Sequence, residues 1–180
     1  LYHEGTRFLS RLELRLGKDR PMLLSSTVRD DNALLAVDLT NPDSSVDGEV
    51  VVPRGTVHIS RTMFLWQGKC FERLCLINYG LVPIDLSFSL KFEADFVDIF
   101  EVRGSKRLQH GRRLENVIDG ETILMTYEGL DGIVRRTRLT YAPSPTRFVG
   151  SEAYFDMPLP AKGELTVFLT ISCETPTSLP

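Results

Sequence analysis

The sequence has few of the residues from which metal and thiol sites are built. Its 180 residues include three histidines and three cysteines, and no H-x-x-H or C-x-x-C spacing joins them. Zinc sites are normally assembled from closely spaced ligands, so we expect no metal ion and no other cofactor. Three cysteines cannot all pair with one another, and we interpret Cys70, Cys75 and Cys173 as reduced thiols of a cytoplasmic protein.

Long hydrophobic runs and an excess of positive charge are also missing. No apolar stretch approaches the roughly 20 residues that a membrane helix needs. The N-terminus has neither the basic nor the apolar segment of a signal peptide. The formal net charge of −3 gives no reason to expect nucleic acid or an anionic membrane as a partner. What remains is a globular composition, 42% hydrophobic and 25% charged, which suits one large domain with a substantial core.

Motifs for nucleophilic catalysis and for phosphate binding are absent as well, including G-x-S-x-G and G-x-x-x-x-G-K-[ST]. One acidic cluster, formed by Asp95, Asp98 and Glu101, could supply the acid and base of a glycosidase. The alternative is that these carboxylates cap turns and pair with nearby basic side chains such as Arg103. We favour the alternative and expect this chain to have no catalytic residues of its own.

The clearest positive pattern is a strict two-residue alternation. Apolar side chains occupy positions 84, 86, 88, 90, 92, 94 and 96, and polar side chains stand between them. Successive side chains of a strand point to opposite faces, so this pattern indicates a strand with one apolar face and one solvated face. The alternation breaks after Phe96, and we predict a bulge or sharp bend between Phe96 and Ile99.

Similar alternation along the rest of the chain predicts about ten or eleven strands, and no segment has a sustained helical period. Residues 12–16 and 22–28 are predicted to form an opening hairpin. Gln67-Gly68 is predicted to turn a second hairpin between residues 55–66 and 70–79. Further strands are predicted over residues 33–40, 122–128, 134–141, 148–155 and 165–173. The predicted fold is all-β, a large antiparallel β-sandwich (supersandwich-like) over residues 1–174.

Aromatic residues at the ends of the second hairpin are the sugar-binding candidates. Trp66 ends its first strand and Tyr79 ends its second. Flat aromatic faces can stack on the apolar faces of pyranose rings. The two residues lie at opposite ends of the hairpin and cannot share one sugar ring, so Trp66 is the better single candidate. The alternative is that Phe64 and Trp66 pack against another layer of the protein.

Several stretches taken together resemble one family, the N-terminal domain of bacterial and archaeal glycogen-debranching enzymes of the amylo-α-1,6-glucosidase type. The most specific stretch is F-E-A-D-F-V-D-I-F-E-V-R-G at residues 92–104. Others are T-R-F-L-S-R-L-E-L at residues 6–14, P-M-L-L-S-S-T-V-R-D-D-N-A-L-L at 21–35, V-D-L-T-N-P at 37–42, P-R-G-T-V-H-I at 53–59 and E-R-L-C-L-I-N-Y-G at 72–80. Gly5 departs from the family pattern, which usually has an acidic residue before Thr-Arg.

The resemblance implies a β-sandwich that precedes an (α/α)6-barrel catalytic domain of a glycoside hydrolase. It implies that this chain is not itself catalytic, packs on its own C-terminal barrel and helps to shape α-glucan binding. Residues 175–180 would then begin the linker to the barrel. A structural or domain-interface cluster is expected from Arg7, Asp95, Asp98, Glu101 and Arg103. The alternative function is a stand-alone protein-interaction module with no sugar contact.

Overall fold

The computed structural model describes residues 1–175, which form antiparallel strands and one single-turn helix. In chain order the elements are β1 (Tyr2–His3), β2 (Thr6–Arg7), β3 (Arg11–Leu16), β4 (Met22–Val28), β5 (Leu34–Thr40), β6 (Ser44–Val46), β7 (Glu49–Val52), β8 (Val57–Trp66), β9 (Lys69–Asn78), β10 (Ile84–Glu93), α1 (Ile99–Val102), β11 (Arg112–Arg113), β12 (Val117–Asp119), β13 (Thr122–Glu128), β14 (Val134–Ala142), β15 (Arg147–Val149), β16 (Glu152–Leu159) and β17 (Glu164–Glu174). The linker predicted for residues 175–180 lies outside the described residues, apart from Thr175. No helix within residues 1–175 has the length and apolar character needed to cross a membrane.

Two sheets carry the fold. The large sheet has nine strands in the order β11-β13-β14-β17-β9-β8-β5-β4, with β12 also paired to β13. The small sheet has four strands in the order β15-β16-β10-β3, and β1–β2 and β6–β7 form two-stranded pairs. Buried side chains of both sheets form one hydrophobic cluster. The predicted all-β antiparallel sandwich is therefore confirmed.

The alternating strand at residues 84–93 occupies an inner position of the small sheet. It is β10, flanked by β16 and β3, and its Phe88 and Phe92 are almost completely buried. Phe88 stacks on Phe155 of β16 with ring centroids 4.8 Å apart. The large sheet contributes the fully buried Ile59 and Leu76 to the same core. Removing a side chain of this size from water stabilises the fold by about 1.5–3 kcal/mol.

The described residues form seventeen strands rather than the predicted ten or eleven, and two further strand predictions are wrong. The opening hairpin does not form, because β3 pairs with β10 in the small sheet while β4 pairs with β5 in the large one. Leu16 and Asp19 exchange backbone hydrogen bonds across a tight turn, but the chain then crosses to the large sheet instead of pairing with β3. The strand predicted over residues 148–155 is two strands, β15 and β16, separated by a turn in which Gly150 has a φ of +58°. A left-handed φ is easily adopted by glycine, which allows the reversal there.

Candidate functional site

The bend predicted after the alternating strand is confirmed and organises the candidate site. β10 ends at Glu93, and Phe96 has a φ of +56°, which non-glycine residues seldom adopt. The buried ring of Phe96 stacks on Tyr127 at 5.4 Å and meets the edge of Phe8 at 5.7 Å. These contacts hold the unusual backbone in place, so the chain leaves the sheet here and enters α1.

Arg7 and Asp95 clamp this bend to the N-terminal segment. The Arg7 Nε donates a hydrogen bond to Asp95 Oδ1 at 3.0 Å, and its Nη2 donates to the other carboxylate oxygen. The backbone repeats the connection, because Arg7 N–H donates to the Val97 carbonyl at 2.9 Å and Phe96 N–H donates to the Arg7 carbonyl at 3.1 Å. A two-oxygen contact of this kind fixes orientation as well as distance.

Asp98 caps the single-turn helix α1. Its Oδ1 accepts hydrogen bonds from the N–H groups of Phe100 at 2.8 Å and Glu101 at 2.9 Å. Its Oδ2 accepts from the Arg107 guanidinium. The Glu101 N–H, followed by Arg107, lowers the pKa of Asp98 below its ordinary value, because both favour the ionised carboxylate.

A cleft of about 360 Å³, lined by both charged and apolar side chains, opens beside α1. Its lining includes Glu101 and His110, whose Oε1 and Nδ1 are 3.6 Å apart, and Asp131, whose Oδ2 accepts from Arg135 Nη2 at 2.7 Å. The Arg135 hydrogen bond lowers the pKa of Asp131 to about 2. The aromatic ring of Tyr127 also lines the cleft. Paired charges beside an aromatic ring can hydrogen-bond neutral hydroxyl groups.

The structure gathers four of the five residues predicted for the acidic and basic cluster. Arg7 and Asp95 form one ion pair. Asp98 caps the start of α1, and Glu101 lies within it. Arg103 follows α1 with an exposed side chain. The sequence analysis missed Asp131 and Arg135, which pair with each other and line the cleft but lie far along the chain from the cluster.

The two predicted sugar-binding residues lie at opposite ends of the β8–β9 hairpin. The predicted turn at Gln67-Gly68 is confirmed, since Trp66 pairs with Lys69 across it. Trp66 is 62% exposed. Tyr79 follows β9 at the far end, is 57% exposed and meets the ring of His58 edge-on at 6.3 Å.

Trp66 belongs to an exposed aromatic face of the large sheet. Phe64 stacks on Phe71 of β9 with ring centroids 4.9 Å apart. Phe168 of β17 lies on the same face, because it pairs with Arg73, two residues from Phe71. No other layer of residues 1–175 covers Phe64 or Trp66, in contrast to the packing alternative. The sequence analysis missed Phe168, because it is a single aromatic residue among the polar positions of its alternating strand.

The fold of this chain is similar to that of proteins with solved structures. A candidate kojibiose phosphorylase from the human microbiome aligns with 93% of this chain at a TM-score of 0.65 and 10% identity. A candidate aldose 1-epimerase from Escherichia coli K12 aligns with 87% of this chain and 69% of its own length, at a TM-score of 0.43 and 8% identity. At such identities the first likeness shows a shared fold and nothing more.

The chain spans 22% of the length of that phosphorylase. None of the curated protein sequences matches it. The family model that matches residues 1–170 describes the N-terminal domain of some glycogen debranching enzymes. This match extends over almost the whole chain, including the bend and both sheets. The chain therefore belongs to the family of N-terminal domains of glycogen debranching enzymes.

Proposed function

We propose that this chain is the non-catalytic β-sandwich of an amylo-α-1,6-glucosidase-like debranching enzyme. In this proposal it packs on the catalytic (α/α)6 barrel that follows it and helps to shape the α-glucan-binding site. The observation that carries the proposal is the family match over residues 1–170.

The chemistry of the bend supports a non-catalytic role. A glycosidase needs a general acid whose pKa is raised, so that the carboxyl group is protonated near neutral pH. Asp98 and Asp131 have lowered pKa values, because backbone N–H groups and arginines favour their ionised forms. Asp95 is engaged by Arg7. These carboxylates are used to build the bend and the cleft beside it.

The surface of α1 and the following loop supports docking on a catalytic barrel. We call residues 99–113 the α1 surface. Phe100 is 61% exposed, Val102 is 40% exposed and Leu108 is fully exposed, so this short stretch presents several apolar side chains to solvent. Arg103 and Lys106 lie between them, and no ion pair within residues 1–175 engages either. A glycosidase active site concentrates carboxylates, so a basic and apolar surface is complementary to its rim.

Two measurements test the proposal. The purified 180-residue chain is expected to release no sugar from branched or linear α-glucans. Turnover that disappears in Asp95→Asn or Glu101→Gln would show instead that the chain is an enzyme.

In the parent enzyme, Phe100→Ser combined with Leu108→Ser should weaken the docking of the sandwich and lower the debranching rate. Val149→Ser, at an exposed apolar position on the edge strand β15, is the matched control and should leave the rate unchanged. A double variant with the parental rate and thermal stability would place the docking surface elsewhere. That result would favour the stand-alone interaction module.

A further inference from the structure

The strand β4 is an edge of the large sheet. Within residues 1–175 its only partner is β5, and all seven of its residues are exposed. Its sequence, M-L-L-S-S-T-V, contains no charge and no proline. An uncharged edge strand of this length presents unpaired N–H and C=O groups to any further strand that can reach it.

The other sheet edges of the described chain are short or charged. β11 consists of two arginines, and β12 and β15 have three residues each. β3 is longer, but Arg11 and Arg15 both contact Glu13, and Arg20 contacts it too. Shortness and charge are the usual protections against edge-to-edge pairing. β4 has neither protection.

The ladder with β5 determines which backbone groups of β4 are free. The Arg29 N–H donates to the Leu34 carbonyl at 2.9 Å. In an antiparallel pair every second residue directs its groups at the partner. The register continues this series at Thr27 and Ser25, which leaves the N–H and C=O of Ser26 and Val28 on the open side. A register irregularity between Leu23 and Ser25 ends the regular edge.

The residues that flank β4 have opposite charge. Two cations and one anion precede it, at Lys18, Asp19 and Arg20, whereas one cation and two anions follow it, at positions 29 to 31. Antiparallel pairing of β4 with itself would bring the basic flank of one chain beside the acidic flank of the other. Parallel pairing in register would bring like flanks together. The charges therefore favour an antiparallel pair of identical chains.

We propose that β4 pairs with β4 of a second copy of this chain, antiparallel about a two-fold axis near Ser26. The two large sheets would become one continuous sheet, with each copy presenting the same surface to the other. Pairing would also cover part of Leu23, Leu24 and Val28, which are 64%, 58% and 53% exposed. Backbone hydrogen bonds, burial of apolar side chains and the complementary charges of the flanks would therefore all stabilise the dimer.

Sedimentation of the 180-residue chain over a range of concentrations tests this. We expect a monomer–dimer equilibrium. Ser26→Pro removes an open-side N–H without removing a hydrogen bond to β5, and should raise the dimer dissociation constant about tenfold or more. Ser26→Ala keeps that N–H and should match the unsubstituted chain. Circular dichroism of each variant verifies that the sandwich is folded.

The charged flanks provide a second test. Asp30→Lys should weaken the dimer by making both flanks basic. Adding Lys18→Glu to that variant exchanges the charges of the flanks and should restore association.

Amide hydrogen exchange of the unsubstituted chain gives a measurement that does not depend on a variant folding. The amides of Ser26 and Val28 should exchange more slowly as protein concentration rises, while that of Thr27, directed at β5, should not change. A single monomeric species at all concentrations would overturn the proposal. So would a dimer that keeps its affinity in Ser26→Pro and shows no protection at Ser26 and Val28. Neither result bears on the α1 surface, so the proposed function is tested separately.

Discussion

Arg61 of β8 and Glu72 of β9 form an ion pair on the core side of the large sheet. Their side chains are only 13% and 1% exposed, and a second contact joins Arg61 Nη2 to Glu72 Oε2 at 3.3 Å. They are diagonal neighbours, since Arg61 lies opposite Leu74 and Glu72 opposite Met63. Charges removed from water in this way are costly unless each keeps its partner.

Removing one partner should therefore cost much more than removing both. We expect Glu72→Leu to lower the free energy of unfolding by about 3–5 kcal/mol, because Arg61 would remain buried and unpaired. The double variant Arg61→Met, Glu72→Leu should recover most of that loss. Urea unfolding of the two variants measures both values. A double variant less stable than the single one would contradict this account.

Alternation of apolar and polar residues predicts which face of a strand is buried but not which strand lies beside it. The alternating leucines of β3 indicate its buried side, with Leu14 in the core. They contain no information on whether β3 pairs with the next strand or with β10, whose paired residues are 72 to 82 positions away, from Leu16↔Phe88 to Arg11↔Glu93. The hairpin at Gln67-Gly68 was predictable because its turn is local and its strands are adjacent in sequence.

In the candidate site too, local features are predictable from the sequence and long-range contacts are not. The break in alternation after Phe96 indicated the bend, because it is a local property of the sequence. Arg7 and Asp95, by contrast, are 88 residues apart, and only the folded chain brings them together. The family resemblance could group them, but the residues alone could not. Phe168 was missed because a single aromatic residue on the polar side of a strand carries no spacing signal.

Asn78 closes the junction between the two sheets. It is fully buried, its Nδ2 donates to the carbonyls of Val82 at 2.9 Å and Pro160 at 3.1 Å, and its Oδ1 accepts from Gly80 N–H at 2.7 Å. Asn78→Ala should cost about 1–3 kcal/mol for each polar group left without a partner. Chemical unfolding measures this loss. If Asn78→Ala lost less stability than a variant of an exposed asparagine, such as Asn116→Ala, the prediction would be wrong.

Asn78→Asp should make stability depend on pH. Burial and the facing carbonyl oxygens would raise the pKa of the new carboxyl group in the folded state. The penalty should therefore be small below the unfolded pKa of about 4 and should grow as pH rises above it. Asn116→Asp, at an exposed position, is the control and should show no such dependence. Unfolding curves at several pH values distinguish the two.

Asp98 should contribute to stability only while it is ionised. Asp98→Ala removes the cap of α1 and should cost about 1 kcal/mol at neutral pH. Its folded pKa lies below the ordinary 3.8, so this contribution is complete above about pH 4 and is lost as pH falls through the folded pKa. The difference between Asp98→Ala and the unsubstituted chain should therefore shrink in acid. If the stability difference between Asp98→Ala and the unsubstituted chain did not change with pH, the cap would not depend on charge. Asp85→Ala, at an exposed position, is the control.

The exposed aromatic face of β8 and β9 gives the sugar-binding proposal its test. Trp66 is the only tryptophan, so its fluorescence reports on this face alone. Stacking of one sugar ring contributes on the order of 1 kcal/mol beyond area burial, by analogy with aromatic pairs. A single platform of this kind corresponds to a dissociation constant of about a millimolar or weaker.

Titration with maltooligosaccharides should therefore shift Trp66 fluorescence with saturation at tens of millimolar sugar, roughly as expected for this affinity. Trp66→Ala should abolish binding, which in this variant is measured by amide chemical shifts because no tryptophan remains. It should change stability little, because the Trp66 side chain is 62% exposed. Tyr79→Ala is the matched control, since Tyr79 lies at the other end of the hairpin and cannot share the ring bound at Trp66. A flat fluorescence signal, or equal loss of binding in both variants, would remove Trp66 as the sugar platform.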